Sequence, residues 1–235
     1  MGFDELAFVT GLPVLSSEVE SARIAELLSP FLAGSALSAR QLEQVSAYLD
    51  RLVRWNQKMN LTAVRDPELM ITRHFGESFL AAVQILGRED PAGKRALDIG
   101  SGAGFPGLPI KIFAPAISMR LIEAQHRKAI FLREVIRDLD LTDCEVLAER
   151  AERLAQAEPG SADVVTLRAV ERFQEVLPTA ARLTSNKGRI GLLVGQEQAS
   201  LAYRILPDFE WNSEIPVPLS DSRIILIARN RESIE

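Results

Sequence analysis

The residues with the clearest capacity for chemistry lie in the stretch LDIGSGAGFPG, from Leu97 to Gly107. A short apolar run that includes Asp98 leads into Gly100, Ser101, Gly102, Gly104 and Phe105, with Gly107 beyond. Glycines reach positive φ and carry no Cβ, so such a loop can turn tightly and lie against a ligand. At the carboxyl end of a parallel strand it would sit where such sheets bind ligands. Asp98, just inside the strand end, can cap a loop N–H or accept a hydrogen from the ligand. Glu123 follows Gly102 by 21 residues and closes the next apolar run. A carboxylate there can accept both hydroxyls of an adenosine ribose, in a dinucleotide or in S-adenosylmethionine. No Gly-Lys-Ser or Gly-Lys-Thr closes the loop, which excludes a P-loop. Only one such half is present, whereas a dinucleotide fold is built from two, and this tilts the choice toward a methyltransferase.

The elements that must position these residues fall into two stretches. Up to about residue 90 the chain reads as helical. Ser38 and Gln41 have capping-box spacing, and Leu42, Val45, Leu49, Leu52 and Trp55 then recur on one helical face. Asp66-Pro67 has the form of an N-cap with proline at the first helical position. Phe75, Phe79, Leu80 and Val83 continue an apolar stripe, and Gly87 to Gly93 forms a boundary.

Beyond it, short apolar strands are expected at Arg95–Ile99, Met119–Glu123, Glu145–Ala148, Asp163–Leu167 and Arg189–Val194, the last preceded by the turn Asn186-Lys187-Gly188. Helical patterns at Arg127–Leu139 and Glu171–Leu183 separate some of them, so the strands should form a parallel sheet covered on both faces. Phe209–Pro218 and Arg223–Arg229 read as an antiparallel pair at its end. The expected organisation is a helical region over 1–90 and an α/β core over 91–235.

The 235 residues are 47% apolar and carry a net charge of -5. That balance suits one compact unit and argues mildly against a large nucleic-acid footprint. Local clusters of basic residues can still focus a positive patch beside one cleft. A single cysteine, Cys144, fits a reducing compartment. Asp4 and Glu5 stand where a signal peptide would carry positive charge. No apolar run is as long as a membrane-spanning helix requires. A cytoplasmic location is expected, with no membrane partner. No cluster of Cys, His, Asp and Glu has ligand spacing, so no bound metal is expected.

Several separated motifs together resemble the small-subunit ribosomal RNA methyltransferase G family, also called glucose-inhibited division protein B. Trp55-Asn56, Asn60-Leu61-Thr62 and Arg65-Asp66-Pro67 are similar to its N-terminal signature, and Arg73-His74 and Ser78 continue it. The glycine loop with Pro106 and Pro109 matches its extended form. Glu123, Arg127-Lys128, Phe131-Leu132, Arg150-Ala151-Glu152, Arg168-Ala169 and Arg223 also match. Two positions depart: Val194 stands where many members have lysine, and Glu77 where aspartate is usual.

The resemblance implies a Rossmann-like class I S-adenosylmethionine-dependent methyltransferase fold. Its mostly parallel seven-stranded sheet should end in an antiparallel strand, with a helical N-terminal region on the substrate side. It implies methyl transfer from S-adenosyl-L-methionine to N7 of a guanine in 16S rRNA, in a loop near the decoding centre. The partner would be that RNA or a 30S assembly intermediate, and the enzyme a monomer. Glu123 would hold the ribose, with Ala124 beside it. Arg150, Ala151 and Glu152 would border the adenine, and Gly100, Gly102 and Gly104 would line the methionine end.

Arg168, at the end of the fourth strand, can donate two parallel hydrogen bonds to guanine O6 or to a phosphate, the alternative being an ion pair with Glu171 or Glu175. Arg73, His74 and Arg223 are further candidates for RNA contact. Arg127 and Lys128 open a helix, where cations oppose the dipole. Either an RNA backbone or an ion pair with Glu123 or Glu134 would account for them. Trp55, Phe75 and Phe105 are possible stacking surfaces, with Phe105 preferred because it lies in the loop.

Overall fold

The structure is a computed structural model that describes residues 20–170 and 172–230; Asp4, Glu5 and Glu171 lie outside the described residues. Helices α1 (Ser21–Leu28) and α2 (Ala39–Asn56) open the fold. The expected capping box starts α2. The Gln41 amide donates to Ser38 Oγ at 3.3 Å, and the Ser38 amide to Gln41 Oε1 at 2.8 Å. Gln41 Nε2 also donates to the Ile112 and Phe113 carbonyls, so one residue ties this cap to a later helix end. Asp66 caps the next helix through the Leu69 amide, with Pro67 first inside it.

That helix is not regular. It runs as α3 (Pro67–Met70), a π-turn over Ile71–Gly76, and α4 (Glu77–Leu86). The π-turn carries Arg73 and His74 and leaves the Arg73 carbonyl to accept from Arg168 rather than only within the helix. Such insertions concentrate at functional sites. Gly76 fits because a Cβ there would strike the Phe31 ring at 2.7 Å.

The rest alternates as expected: β1 (Arg95–Ile99), α5 (Gly107–Phe113), β2 (Ser118–Ile122), α6 (His126–Asp138), β3 (Cys144–Leu147), α7 (Ala151–Ala157), β4 (Ala162–Arg168), α8 (Phe173–Leu183), β5 (Thr184–Gly195), α9 (Gln196–Ile205), β6 (Glu210–Trp211), β7 (Ile215–Pro216) and β8 (Arg223–Arg229). Helices α5, α7 and α9 have no counterpart in the sequence reading. The strand order is β3-β2-β1-β4-β5-β8-β6, with β7 also on β8. Strands β1 to β5 are parallel and β8 runs antiparallel to β5.

The sheet has eight strands where seven were expected. The edge is split: β6 and β7 pair with successive parts of β8 and share one position. Between them the Asn212 side chain accepts the Ile227 amide at 2.6 Å, replacing a backbone acceptor. The Asn186-Lys187-Gly188 turn forms an irregularity inside β5, where Lys187 has positive φ and the register to β4 shifts.

Alternation along the strands sorts side chains onto two cores. Ala96, Val164, Leu193, Ile225 and Ile227 join α1 to α6 on one face, and Leu97, Val165, Leu167, Leu192, Val194 and Leu226 join α7 to α9 on the other. The N-terminal helices therefore share a core with the sheet. This parity also decides where the strand-end polar residues point. Thr166 and Arg168 follow Val164 toward the N-terminal helices, and Arg223 precedes Ile225 on that same face.

Candidate active site

Strand order reverses between β1 and β4, where such sheets open their ligand crevices. A cleft of about 700 Å³ lies at the carboxyl ends of these strands. Its floor is the glycine turn. Gly100, Gly102 and Gly104 all have positive φ, which only glycine adopts freely. The Gly100 and Ser101 amides donate to the Ile122 carbonyl at 2.9 and 3.1 Å, fastening the turn to β2.

Glu123 lies beside it, 6% exposed. Its Oε2 accepts the Gly102 amide at 2.9 Å and its Oε1 the Gln125 amide at 2.7 Å. Each oxygen keeps a further acceptor position, and the carboxylate lines the cleft. A Cβ on Gly102 would meet only the Gly100 carbonyl oxygen, at 3.7 Å. The turn is thus bare on its cleft side, and a donor-rich ribose beside an acceptor-only carboxylate fits these residues.

The other glycines serve packing. A Cβ on Gly104 would collide with the Tyr48 hydroxyl and with Leu108, and one on Gly107 with Leu121 and Asp98. Tyr48, on α2, donates to the Ala103 carbonyl and stacks on Phe105 with ring centroids 5.2 Å apart. The N-terminal helices therefore buttress the loop directly.

Two expected ligand contacts are corrected here. Asp98 is fully buried beneath the turn and does not line the cleft: Thr166 donates to its Oδ1 at 2.8 Å, and its other oxygen lies against Gly107. Burial pushes its carboxyl up to about 6, opposed by the Thr166 hydrogen bond. Gly104 is likewise turned toward Tyr48, outside the cleft lining. Phe105 does line the cleft, but it is 7% exposed, with Tyr48 stacked on it and the Arg168 guanidinium 5.8 Å over its ring. No open face remains for a base to stack on. Phe75 is buried outright, and Trp55 packs on Phe131 while donating to Glu134 at 3.0 Å.

Arg168 sits on the cleft wall but is committed to the protein. Its guanidinium donates to the Arg73 carbonyl at 2.7 Å and to His74 Nδ1 at 2.9 Å, and lies 3.2 Å from the Glu77 carboxylate. Arg223 approaches Glu77 at 2.7 Å. The expected alternative partner Glu175 pairs instead with Arg172. Strand parity explains the difference, since Arg168 faces α4 whereas α8 covers the opposite face. Burial pushes Arg168 down to about 10, opposed by Glu77, so it stays charged at neutral pH. Glu77, the position where aspartate was expected, is raised by burial and held back by Arg168, Arg223 and Arg73.

His74 is buried, and burial followed by repulsion from Arg168 lowers it to about 3. An arginine can only donate, so Nδ1 must accept and the ring is neutral with its proton on Nε2. Nε2 meets Thr62 Oγ1 at 2.7 Å.

The cleft also carries free cations. Arg73, Lys128 and Arg150 line it and form no ion pair among the described residues. With Arg168, Arg172 and Arg223 they outnumber the lining acids Glu123, Glu149 and Glu152. A chain of net charge -5 therefore has a positive cleft. Ala124, Ala151, Ser101 and Gly100 line it. Arg127 does not. One residue along a helix is a turn of ~100°. That step leaves Arg127 in solvent while Lys128 faces the cleft. Glu134, the alternative partner expected for this pair, is taken by Arg51 and Trp55. Val194 is 4% exposed in the second core, so its side chain takes nothing from the cleft. Thr62, Gln125 and Arg172 also line the cleft without a local pattern that marks them for it, as does Ala169, whose positive φ turns the chain at the end of β4.

Among the described residues, no helix is long and apolar enough to cross a membrane, and no group of three or more His, Cys, Asp or Glu is placed to hold a metal ion.

Comparison with known proteins agrees with this arrangement. Residues 41–203 match the family model of rRNA small subunit methyltransferase G (GidB). The ribosomal RNA small subunit methyltransferase G of Chloroflexus aggregans is 44% identical over 159 residues, 67% of this chain and 65% of that protein. The chain thus spans slightly under two thirds of that relative. Its namesake in Streptococcus pyogenes is 33% identical over 85% of this chain and 87% of that protein. Among solved structures, an S-adenosylmethionine-dependent methyltransferase from Aquifex aeolicus superposes with a TM-score of 0.55 at 15% identity, covering 72% of this chain and 96% of that one, which establishes the Rossmann-like class I methyltransferase fold. The matched sequence, the sheet order and the cleft at its reversal point together place this chain in the rRNA small subunit methyltransferase G family.

Proposed function

We propose that this protein transfers the methyl group of S-adenosyl-L-methionine to N7 of a guanine in small-subunit ribosomal RNA, acting in the cytoplasm on the RNA or on a 30S assembly intermediate. One observation supports this above others: the bare glycine turn and the Glu123 carboxylate share a cleft with Arg73, Lys128 and Arg150, cations that no described acid pairs. The turn and carboxylate suit an adenosyl ligand, and the cations a phosphate backbone. The helical region up to about residue 90 supplies the substrate-side wall.

When bound, the cofactor supplies an electrophilic methyl on a sulfonium. Gly100 and Gly102 leave room beside it, Glu123 accepts from its ribose, and Ala151 borders its adenine side. Guanine N7 carries a lone pair and no proton at neutral pH, so no general base is needed. The cleft agrees with that requirement. His74 has both nitrogens engaged and stays neutral, which leaves it as a fixture rather than a proton acceptor. The protein's contribution is alignment of the base, which can account for a large share of a rate enhancement. Arg168 acts as a positioning residue through His74 and Glu77.

The test is incubation with labelled cofactor and undermethylated 30S particles, naked RNA or small metabolites, followed by mapping of the labelled base. Label at a guanine N7 of the small-subunit RNA is expected. Label on a metabolite alone, or on none of them, would overturn the reading.

A further inference from the structure

Thr62 lies on the cleft wall between α2 and the π-turn, and its hydroxyl has an enforced polarity. Asn56 fixes its backbone: Asn56 Oδ1 accepts the Thr62 amide at 2.9 Å and Asn56 Nδ2 donates to the Thr62 carbonyl at 3.0 Å. The hydroxyl oxygen then receives two donors. The Val64 amide points at it from 3.1 Å and His74 Nε2 from 2.7 Å. His74 has no freedom to reverse this bond, because Arg168 occupies Nδ1 with a donor that cannot become an acceptor. Arg168 is in turn held by the Arg73 carbonyl and Glu77. A hydroxyl has two acceptor positions and one proton. Both acceptor positions are filled, and the proton has no acceptor among the described residues.

From this relay we infer that the Thr62 hydroxyl is a donor-only recognition group that selects guanine by its O6. At the edge it shares with N7, guanine offers a second acceptor, O6, whereas adenine offers an N6 amino donor. An obligate donor pairs with the first and opposes the second, so both purines can present N7 while one is refused. The inference rests on the N7-guanine reading. It assigns Thr62 as the group touching the substrate and His74 and Arg168 as positioning residues that set its polarity.

The experiment uses the full chain and small-subunit RNA whose target purine is guanine, hypoxanthine or 2,6-diaminopurine. Hypoxanthine keeps O6, and diaminopurine replaces it with an amino group while keeping N7. Wild-type protein is expected to methylate guanine and hypoxanthine at similar kcat/KM and diaminopurine about tenfold or more slowly, as loss of a matched hydrogen bond to a half-buried donor predicts. Thr62→Val should bring guanine down to the diaminopurine level, with cofactor affinity kept within about twofold. Thr62→Ser should keep the preference. Equal wild-type rates on guanine and diaminopurine overturn the role of Thr62 without any variant, and so does an unchanged ratio in Thr62→Val. Wild-type silence on guanine RNA overturns the N7 reading and this inference with it.

Discussion

The Glu123 carboxylate accepts the Gly102 amide at 2.9 Å, so one cleft-lining acid also pins the bare glycine turn beside it; in the proposed reading these two hold the cofactor's ribose and its methionine end. Glu123→Ala should therefore weaken S-adenosylmethionine binding at least about tenfold, since hydrogen bonds to a charged acceptor contribute ~1.5–3 kcal/mol each. Calorimetric titration reads the affinity. Tight, selective binding of NADH by the wild-type protein would remove the methyltransferase assignment altogether.

Two neighbouring glycines should separate binding from folding. Gly102→Ala places a methyl in the cleft at a residue of positive φ, where it obstructs the ligand. The left-handed backbone costs a residue with a Cβ about 1–2 kcal/mol. Gly104→Ala incurs similar strain and also drives its methyl into Tyr48 and Leu108. Overpacking of that kind adds a cost of about 1–3 kcal/mol. Denaturant unfolding and calorimetry on both variants should show the larger binding loss in the first and the larger stability loss in the second. The reverse ranking would show that the turn faces the other way.

Arg168→Ala removes one partner of Glu77 from a buried charge cluster. Leaving a buried charge with no partner costs about 3–5 kcal/mol, and since Arg223 still faces Glu77 the loss of stability should fall below that range. Methyl transfer should fall further than cofactor affinity, as the His74 and Thr62 orientation is lost with it. Equal loss of the two activities would reduce Arg168 to a structural strut.

Two buried groups give opposite pH dependences of stability. Asp98 is raised from the usual carboxylate range to about 6, so the folded state binds its proton more tightly. Its contribution is complete below about pH 4 and is lost as pH rises through about 6. His74 is lowered from 6.5 to about 3, so its contribution is present above about pH 6.5 and lost as pH falls toward 3. Between about pH 4 and 6 the two oppose each other. Stability of His74→Gln should fall with rising pH across that window, and stability of Asp98→Asn should rise more steeply than wild type. Urea midpoints measured at closely spaced pH values decide it, and parallel curves for the two variants would refute the assignment.

Lys128 and Arg127 provide a paired test of the proposal that RNA enters the cleft. Each phosphate contact adds ~0.7–0.9 to the slope of log affinity against log salt. Lys128→Ala should lower that slope by about this amount, and Arg127→Ala should leave it unchanged. Equal effects would mean that the RNA runs along the exposed side of α6 rather than into the cleft.

Local signals in the chain were enough to define much of this protein. The Ser38–Gln41 box, the Asp66-Pro67 start, the glycine turn and the carboxylate after β2 are short-range patterns whose physics acts within a few residues, and each was legible. Elements α5 and α7 were not, because seven residues make two helical turns and give little periodicity. Helix α9 buries mainly Ala199 and Ala202, whose small side chains leave a faint stripe. The π-turn left no pattern of its own, since a helix with one extra residue per turn keeps an ordinary helical composition.

The glycine turn, the acid that follows β2 and the kinds of element around them were readable in the chain alone, because backbone freedom and hydrophobic period are written residue by residue. Partnership between side chains was settled by packing. Arg168 met Glu77 and His74 rather than Glu175, Asp98 sank beneath the loop, and Lys128 faced the cleft while Arg127 did not. Those outcomes depend on strand parity and on the helix layer that closes over each face. Both are set by contacts between segments far apart in the chain.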